Sequence, residues 1–227
     1  MSSESALRDG NGADYELIET LRWEPAGGFV RIERHLERLQ GSAEVLGFRH
    51  DAAAVDHALA AVSGGERPLR VRLTLSRTGE VACIFHAFEP TPPGTIWRLR
   101  MARTRLDADD PLIRHKTSRR DVFQAARLEF TAQEADEVIL LNSQGRLCEG
   151  TITNLFLDRG DGGPLLTPAL ANGLLPGILR GELIELGRAV EADLVPDDLV
   201  TAKSIFVGNS LRGLIPATIT TEWHTQQ

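Results

Sequence analysis

The sequence predicts a two-domain α/β protein of the α+β type, and three observations support this prediction. In the first half, segments with hydrophobic residues every three or four positions follow segments in which polar and apolar residues alternate. In the second half, short apolar runs are separated by glycine-containing turns, which is typical of a β-rich domain. Between the halves lies a polar loop at residues 107–111 (DADDP). We therefore expect an N-terminal α/β domain over 1–106, an interdomain loop over 107–117 and a C-terminal domain over 118–227.

The first domain reads as a strand, a helix and a hairpin. Residues 1–13 are rich in Ser, Asp, Gly and Asn and are expected to form a frayed arm. The apolar residues Leu39, Ala43 and Leu46 share one face of an amphipathic helix that ends near Gly47. In chain order, the predicted elements are a strand at 15–23, helices at 32–46 and 52–63, hairpin strands at 69–75 and 81–87, and a strand at 96–104.

The second domain is predicted to begin with a helix and to continue mainly as strands. Turn sequences at 142–145 (NSQG) and 160–163 (GDGG) separate the apolar runs. A proline near its first turn favours a helix starting at Pro176. The predicted elements are a helix at 119–132, strands at 137–142, 147–158 and 165–167, a helix at 176–189, and a strand at 204–210.

Composition excludes several functional classes. The 227 residues carry a formal charge of −7, which argues against a nucleic-acid partner because such proteins present basic surfaces to phosphates. Neither a secretory leader nor an apolar run long enough for a membrane span is visible, so cytoplasm is the expected location. Cys83 and Cys148 lie far apart without metal-ligand spacing, so no metal site is expected. Nucleotide-binding glycine loops and a G-x-S-x-G nucleophile elbow are also absent from the sequence.

Three segments carry residues with complementary chemistry. They are 114–120 (RHKTSRR), 149–156 (EGTITNLF) and 173–180 (GLLPGILR). A lysine amine forms a Schiff base with an aldehyde, and a carboxylate keeps a pyridine nitrogen protonated. A glycine-containing turn into a helix offers backbone N–H groups and a positive dipole end to a phosphate. Each segment alone also fits a solvated surface, and only their combination in this order favours a cofactor site.

In this combination the chain resembles the class IV (fold type IV) pyridoxal-phosphate enzymes, over roughly residues 15–217. The resemblance implies a small N-terminal α/β domain and a larger C-terminal β-rich pseudo-barrel domain with helices. It implies that Lys116 binds pyridoxal 5'-phosphate covalently, that Glu149 contacts the ring nitrogen, and that Asn154 supports the site. Arg38, in a helix motif similar to the family's, is implied to pair the phosphate, although by itself it reads as an exposed helix charge.

The rest of the phosphate site is implied by two further segments. Backbone donors at Gly177, Ile178 and Leu179 would face the phosphate from the start of the second-domain helix. Asn209 and Ser210 match the position at which a small hydroxyl residue completes the family's cradle. Judged locally, that pair is equally well explained as a plain turn.

The resemblance also narrows the reaction. The segments 16–23, 115–117 and 207–213 are most similar to the lyase-type members, which convert 4-amino-4-deoxychorismate to 4-aminobenzoate and pyruvate in folate precursor synthesis. We take this lyase activity as the expected function. The alternatives are an amino-acid aminotransferase of the branched-chain or D-amino-acid type, and a catalytically idle binding protein that retains the fold. Intact Lys116 and Glu149 weigh against the idle protein.

Substrate contacts are expected from the first domain. Thr20 is implied to place a hydroxyl near the small-molecule amino substrate, and an ordinary strand threonine explains it equally well. Arg72 and Arg77 are candidate clamps for carboxylates, because planar guanidinium groups suit them, although both also fit the solvent side of a hairpin. The resemblance further implies a homodimer, and the hairpin at 70–77 offers charged groups that one subunit could lend to the other.

Overall fold

The computed structural model describes residues 15–63 and 65–220. The arm predicted at residues 1–13 lies outside this part of the chain. The chain folds as two compact units: unit 1 comprises Met1–Pro90 with His115–Arg119, and unit 2 comprises Thr91–Arg114 with Arg120–Gln227. In the described residues, no helix combines the length and the apolar character that crossing a bilayer requires.

Within the described residues, unit 1 contains an antiparallel sheet and two helices. The strand order is β2-β1-β3-β4, so β1 and β3 lie in the middle of the sheet. The elements are β1 (Leu17–Glu24), β2 (Gly28–Phe29), α1 (Ile32–Leu46), α2 (Ala52–Ala60), β3 (Leu69–Leu75) and β4 (Val81–Ala87).

The hydrophobic patterns predicted for unit 1 are confirmed. In β3, Leu69, Val71, Leu73 and Leu75 are all buried, as the alternation with polar residues requires. Helix α1 buries its predicted apolar positions 39, 43 and 46. It ends at Gly47, which adopts a left-handed backbone conformation with φ of 71° that suits glycine at a helix C-terminus.

Unit 2, in the part of the chain that the structure describes, is a large mixed sheet with three helices. The order is β10-β9-β8-β11-β12-β5-β6-β7, and β7 also pairs with β8. This last pairing closes six of the strands into a ring, as the pseudo-barrel expectation requires. The elements are β5 (Trp97–Leu106), α3 (Asp121–Leu128), β6 (Glu137–Asn142), β7 (Leu147–Gly150), β8 (Asn154–Asp158), β9 (Leu165–Pro168), a 3-10 turn (Leu170–Asn172), α4 (Ile178–Glu185), β10 (Ala189–Ala192), α5 (Pro196–Thr201), β11 (Ser204–Asn209) and β12 (Gly213–Ile219).

The division into units differs from the boundary predicted at residue 106. Strand β5, expected in the first domain, pairs in parallel with β6 and β12 of the large sheet. The segment His115–Arg119, expected around the end of the interdomain loop, groups with unit 1. Local patterns reveal that a segment is a strand, whereas the choice of its partner depends on long-range packing.

Two predicted elements are wrong in their extent. The strand predicted at 147–158 is interrupted at 151–153, where the chain bends around a buried carboxylate. The helix predicted at 176–189 ends at Glu185, and the chain reverses through Gly187, which has a φ of 66°. Residues 189–192 then form β10, parallel to β9. This pairing places the end of the predicted helix in the sheet.

Candidate active site

Lys116 lies in an extended segment beside the start of β1. The Ile18 amide donates a hydrogen bond of 2.8 Å to the Lys116 carbonyl, and the Ser118 amide donates one of 2.9 Å to the Glu16 carbonyl. These bonds run between antiparallel backbones and fix the lysine-bearing segment along β1. Thr20 follows Ile18 by two residues on the same side of the strand, about 7 Å further along.

Thr20 and Arg72 are direct neighbours on one face of the unit 1 sheet. Thr20 of β1 opposes Arg72 of β3, and Arg72 opposes Ile84 of β4. Cross-strand neighbours have Cβ atoms about 5 Å apart, so the hydroxyl and the guanidinium side chains start from adjacent points. Both side chains are half-buried. The structure therefore brings together these two predicted substrate contacts.

Arg77 lies beyond the end of β3 and is engaged within unit 1. Its guanidinium donates to the Leu46 carbonyl at 3.0 Å and to the Tyr15 hydroxyl at 3.3 Å. It also stacks over the Phe48 ring, at 4.6 Å from the ring centre. These contacts join the ends of the sheet and α1. The two arginines of this hairpin therefore have different environments.

Arg38 is part of a buried ionic cluster with Glu19 and His35. Its guanidinium donates to both oxygens of Glu19, at 2.8 and 2.6 Å, in a bidentate arrangement. His35 Nδ1 lies 2.6 Å from the same carboxylate. Burial raises the pKa of Glu19, but the Arg38 charge and the hydrogen bonds from both partners outweigh it and lower this pKa to about 2. Glu19 therefore fixes the orientation of the Arg38 side chain.

Glu149 is a buried carboxylate at the end of β7, with an exposed fraction of 4%. The Leu175 amide donates to one carboxylate oxygen at 3.0 Å, and the Asn154 amide group approaches the other at 3.5 Å. Burial and the Glu149 charge raise the pKa of the adjacent Cys148 thiol to about 12. A negative group in this position is suited to a cationic ring nitrogen.

Sheet register places Glu149 in line with the other candidate residues of unit 2. Glu149 opposes Asn154, Asn154 opposes Gly208, and Gly208 opposes Leu214, so one row crosses four strands. Two strand spacings, about 10 Å, separate Glu149 from Gly208. Asn209 and Ser210 come directly after that glycine.

The start of α4 lies against this row. A Cβ atom on Gly177, the residue that caps α4, would overlap Asn154 Oδ1. A Cβ on Gly208 would lie 3.0 Å from the Leu179 side chain. Glycine allows these close approaches, so the start of α4 packs against β8 and the end of β11. This cradle of glycines and amide donors fits a phosphorylated ring.

Asn209 is the last residue of β11, and Ser210 begins the turn that leads to β12. Asn209 Nδ2 donates to the Ile152 carbonyl at 3.1 Å, and Asn209 Oδ1 accepts from the Arg212 amide at 2.9 Å. Ser210 is buried, with an exposed fraction of 7%. The asparagine side chain therefore fixes the turn and ties it to the bend after β7.

Sequence reasoning missed two buried carboxylates that support these residues. Glu19 alternates with Leu17 and Leu21 on the helix-facing side of β1, which is the signal that could have revealed it. Glu137 opens the apolar run of β6, and its partners Thr151 and Thr153 are distant in sequence. No local pattern links those three residues.

Comparison with known proteins identifies the family of this chain. The family model described as amino-transferase class IV matches residues 16–219. A crystal structure of a Mesorhizobium loti protein assigned as an amino-acid aminotransferase is 52% identical, with a TM-score of 0.89 over 91% of this chain and 100% of that one. A Schizosaccharomyces pombe protein assigned as an aminodeoxychorismate lyase is 29% identical, covering 86% of each chain. A Thermotoga maritima protein assigned as a branched-chain-amino-acid aminotransferase is 26% identical over 90% of this chain and 76% of its own.

Proposed function

Because the chain belongs to the amino-transferase class IV family, we propose that it is a pyridoxal-phosphate lyase that converts 4-amino-4-deoxychorismate to 4-aminobenzoate and pyruvate. The observation that carries this proposal is the placement of Thr20 and Arg72 as cross-strand neighbours on β1 and β3, with the Lys116 segment bonded along β1. An amine, a hydroxyl and a guanidinium are thus available to a substrate that carries an amino group, an ether oxygen and carboxylates.

The residues of unit 2 fit the cofactor. When bound, pyridoxal phosphate supplies an aldehyde carbon that links to amines and a ring that takes up the electron pair released from the substrate carbon. Glu149 would keep a proton on the ring nitrogen, and its own position is fixed by the Leu175 amide. The N–H groups at the start of α4 and the Asn209–Ser210 turn bind the phosphate. We assign Arg38 to the phosphate as well, with its guanidinium oriented by Glu19.

Proton transfer is the task of Lys116. Its amine would hold the cofactor covalently and would become free when the 4-amino group of the substrate takes its place. The released amine then accepts the proton from the carbon that bears the substrate nitrogen. Loss of the enolpyruvyl group from the neighbouring carbon leaves an aromatic ring, which drives the step. The Thr20 hydroxyl donates a hydrogen bond to the departing ether oxygen, and Arg72 binds a carboxylate.

An amino-acid aminotransferase is the second candidate function. It is favoured by the 52% identity to the Mesorhizobium loti protein assigned as an amino-acid aminotransferase. The same Lys116, Glu149 and phosphate donors serve both reactions, because both begin with removal of the same kind of proton. In the lyase reaction the enolpyruvyl group on the neighbouring carbon leaves, whereas in the aminotransferase reaction the amino nitrogen of the substrate is transferred to a keto acid.

One assay separates the two candidates. Purified protein is incubated with 4-amino-4-deoxychorismate, and in parallel with branched-chain or D-amino acids plus 2-oxoglutarate. The lyase yields 4-aminobenzoate and pyruvate in equal amounts without consuming a keto acid. Glutamate formation without 4-aminobenzoate would replace the lyase by the aminotransferase. An absence of both products from protein that binds the cofactor would support the idle binding protein.

We also propose that the working unit is a cytoplasmic homodimer, following the family resemblance of the hairpin at 70–77 and the prevalence of two-fold assemblies. Sedimentation at assay concentrations is expected to give twice the mass of the 24.8 kDa chain. A fully active species of monomer mass would contradict both the dimer and a site shared between subunits.

A further inference from the structure

Glu137, which no sequence motif identified, is one of the most completely buried charged residues in the described chain, with an exposed fraction of 0%. Its carboxylate accepts five hydrogen bonds from neutral groups. They come from the amides of Val138 (2.8 Å), Thr151 (3.0 Å) and Ile152 (3.0 Å), and from the hydroxyls of Thr151 (2.5 Å) and Thr153 (2.9 Å). A carboxylate has about four acceptor sites, so this group is saturated with donors.

Four of these five bonds come from residues 151–153, the bend between β7 and β8. The bend is tight, because the Gly150 amide also donates to the Thr153 carbonyl at 2.7 Å. A Cβ atom on Gly150 would overlap Thr153 Oγ1 and would lie 2.8 Å from the Glu137 carboxylate. Gly150, which follows Glu149, therefore has no room for a side chain, because Thr153 and the Glu137 carboxylate fill the space beside it.

The same bend is tied to the β11–β12 turn. The Ile152 carbonyl accepts the bond from Asn209 Nδ2, and the Thr151 carbonyl accepts one from Arg120. The bend thus follows Glu149 closely in the chain, and its residue Ile152 contacts the turn that carries Ser210. A displacement of residues 151–153 changes the separation between the carboxylate and the turn.

We infer that Glu137 is a positioning residue that sets the distance between the ring-nitrogen contact at Glu149 and the phosphate contact at the Asn209–Ser210 turn. This inference rests on the proposed function, because the ligand that spans the two contacts is pyridoxal phosphate. A carboxylate suits the role because both of its oxygens accept bonds. An amide in its place turns an N–H group toward the donors of the bend.

The test compares two ligands that differ only in the phosphate. Apoenzyme is titrated with pyridoxal phosphate and with pyridoxal, and binding is followed by absorbance and tryptophan fluorescence. Wild-type protein is expected to prefer pyridoxal phosphate strongly, because that ligand uses both contacts at once. Glu137→Gln is expected to reduce this preference about 10- to 100-fold, the effect of losing one or two hydrogen bonds to a charged group. A merely structural role lowers the thermal midpoint but leaves the preference unchanged.

Glu129→Gln is the matched control. Glu129 also accepts two backbone amide bonds in unit 2, from Arg103 at 2.7 Å and Thr104 at 2.8 Å, but these bonds lie outside the bend. This variant is expected to keep the ligand preference of the wild type. A similar loss of preference in Glu129→Gln would overturn the inference, because it would show a general effect of weakening unit 2.

Two milder variants keep the inference testable if Glu137→Gln does not fold. Thr153→Val removes one bond to Glu137, and Asn209→Ala removes the link from the bend to the turn. Both are expected to lower the preference for pyridoxal phosphate over pyridoxal by about 10-fold. Unchanged preference in both variants would overturn the inference while leaving the proposed function intact. A wild-type protein that binds neither ligand would instead overturn the proposed function.

Discussion

The two units hold their buried carboxylates in different ways. In unit 1, Glu19 is compensated by the Arg38 guanidinium and by His35. In unit 2, Glu137 is compensated by amide and hydroxyl groups of a bend. The first arrangement is an ionic cluster whose strength depends on protonation. The second is a network of neutral donors that depends on backbone geometry.

This difference parallels a difference in the kinds of functional group that each unit carries. In the proposed function, unit 1 supplies the side chains that form a covalent bond, move protons or bind carboxylates, and they lie on strands and an edge segment. Unit 2 offers one carboxylate and several backbone donors, placed by glycines and by sheet register. We therefore expect substitutions in unit 1 to remove chemical steps or substrate contacts. Substitutions in unit 2 are expected to change how the cofactor is held and how strongly its ring is activated.

The largest effect is expected for Lys116→Ala. Turnover should fall by at least about 10³-fold, because in the proposed function the same amine holds the cofactor and accepts the substrate proton. Borohydride reduction and peptide mapping of the wild type should place the phosphopyridoxyl group on Lys116. Lys203→Ala is the control, since Lys203 is the one other lysine in the sequence and is exposed. Label on Lys203 would show that unit 1 does not supply the amine.

The next effect is expected for Glu149→Gln. The amide retains the bond from the Leu175 amide. It loses the negative charge that, in the proposed function, keeps the ring nitrogen protonated. Turnover at saturating cofactor should fall by about 10²- to 10³-fold while cofactor remains bound. Single-turnover kinetics and the absorbance of the bound cofactor measure both effects. Unchanged turnover would mean that the carboxylate of unit 2 does not contact the ring.

The sequence predicted some residues of the candidate site but not the residues that support them, and the reason is physical. Lys116, Glu149 and Gly177 were predicted because each lies in a short segment whose residue types reveal its chemistry. The supporting carboxylates were missed, because Glu137 bonds to residues 14 to 16 positions away and Glu19 bonds to a helix 16 to 19 positions away. Such pairings arise from strand register and helix packing, which local periodicity does not encode.

The fold also contains features that local sequence patterns do not predict. The alternation in β3 and the period of α1 were sufficient to predict those elements, since one face of each is buried. The assignment of β5 to the large sheet depends on its pairing with β12, in which Trp97 lies opposite the sequence-distant Ala217. The interruption at 151–153 depends on the Glu137 carboxylate. Neither feature is visible in a short stretch of sequence.

Glu19→Gln tests how much the ionic cluster of unit 1 stabilises the fold. Since the folded pKa of about 2 lies below the ordinary 4.5, the ionised cluster stabilises the fold fully above about pH 4.5 and loses this contribution as pH falls toward 2. The shift corresponds to about 3 kcal/mol at neutral pH. Urea unfolding at pH 7, 5 and 3 should show a destabilisation that shrinks with acidity. Glu44→Gln, at an exposed site on α1, is the control and should cost less than about 0.5 kcal/mol.

The smallest effect is expected for Arg72→Gln, which tests whether unit 1 recognises substrate through the Thr20 face of its sheet. Loss of a charged hydrogen bond to a carboxylate should raise KM about 10-fold and leave kcat nearly unchanged, because the contact is made before and during the reaction alike. Arg67→Gln, at an exposed position before β3, is the control for charge.

Arg77→Gln provides the contrast within the hairpin. The Arg77 guanidinium packs on Phe48 and bonds to the Leu46 carbonyl, so the variant should lower the unfolding midpoint. If Arg77→Gln raises KM and Arg72→Gln does not, the carboxylate contact belongs to the end of the hairpin and not to the face beside Thr20.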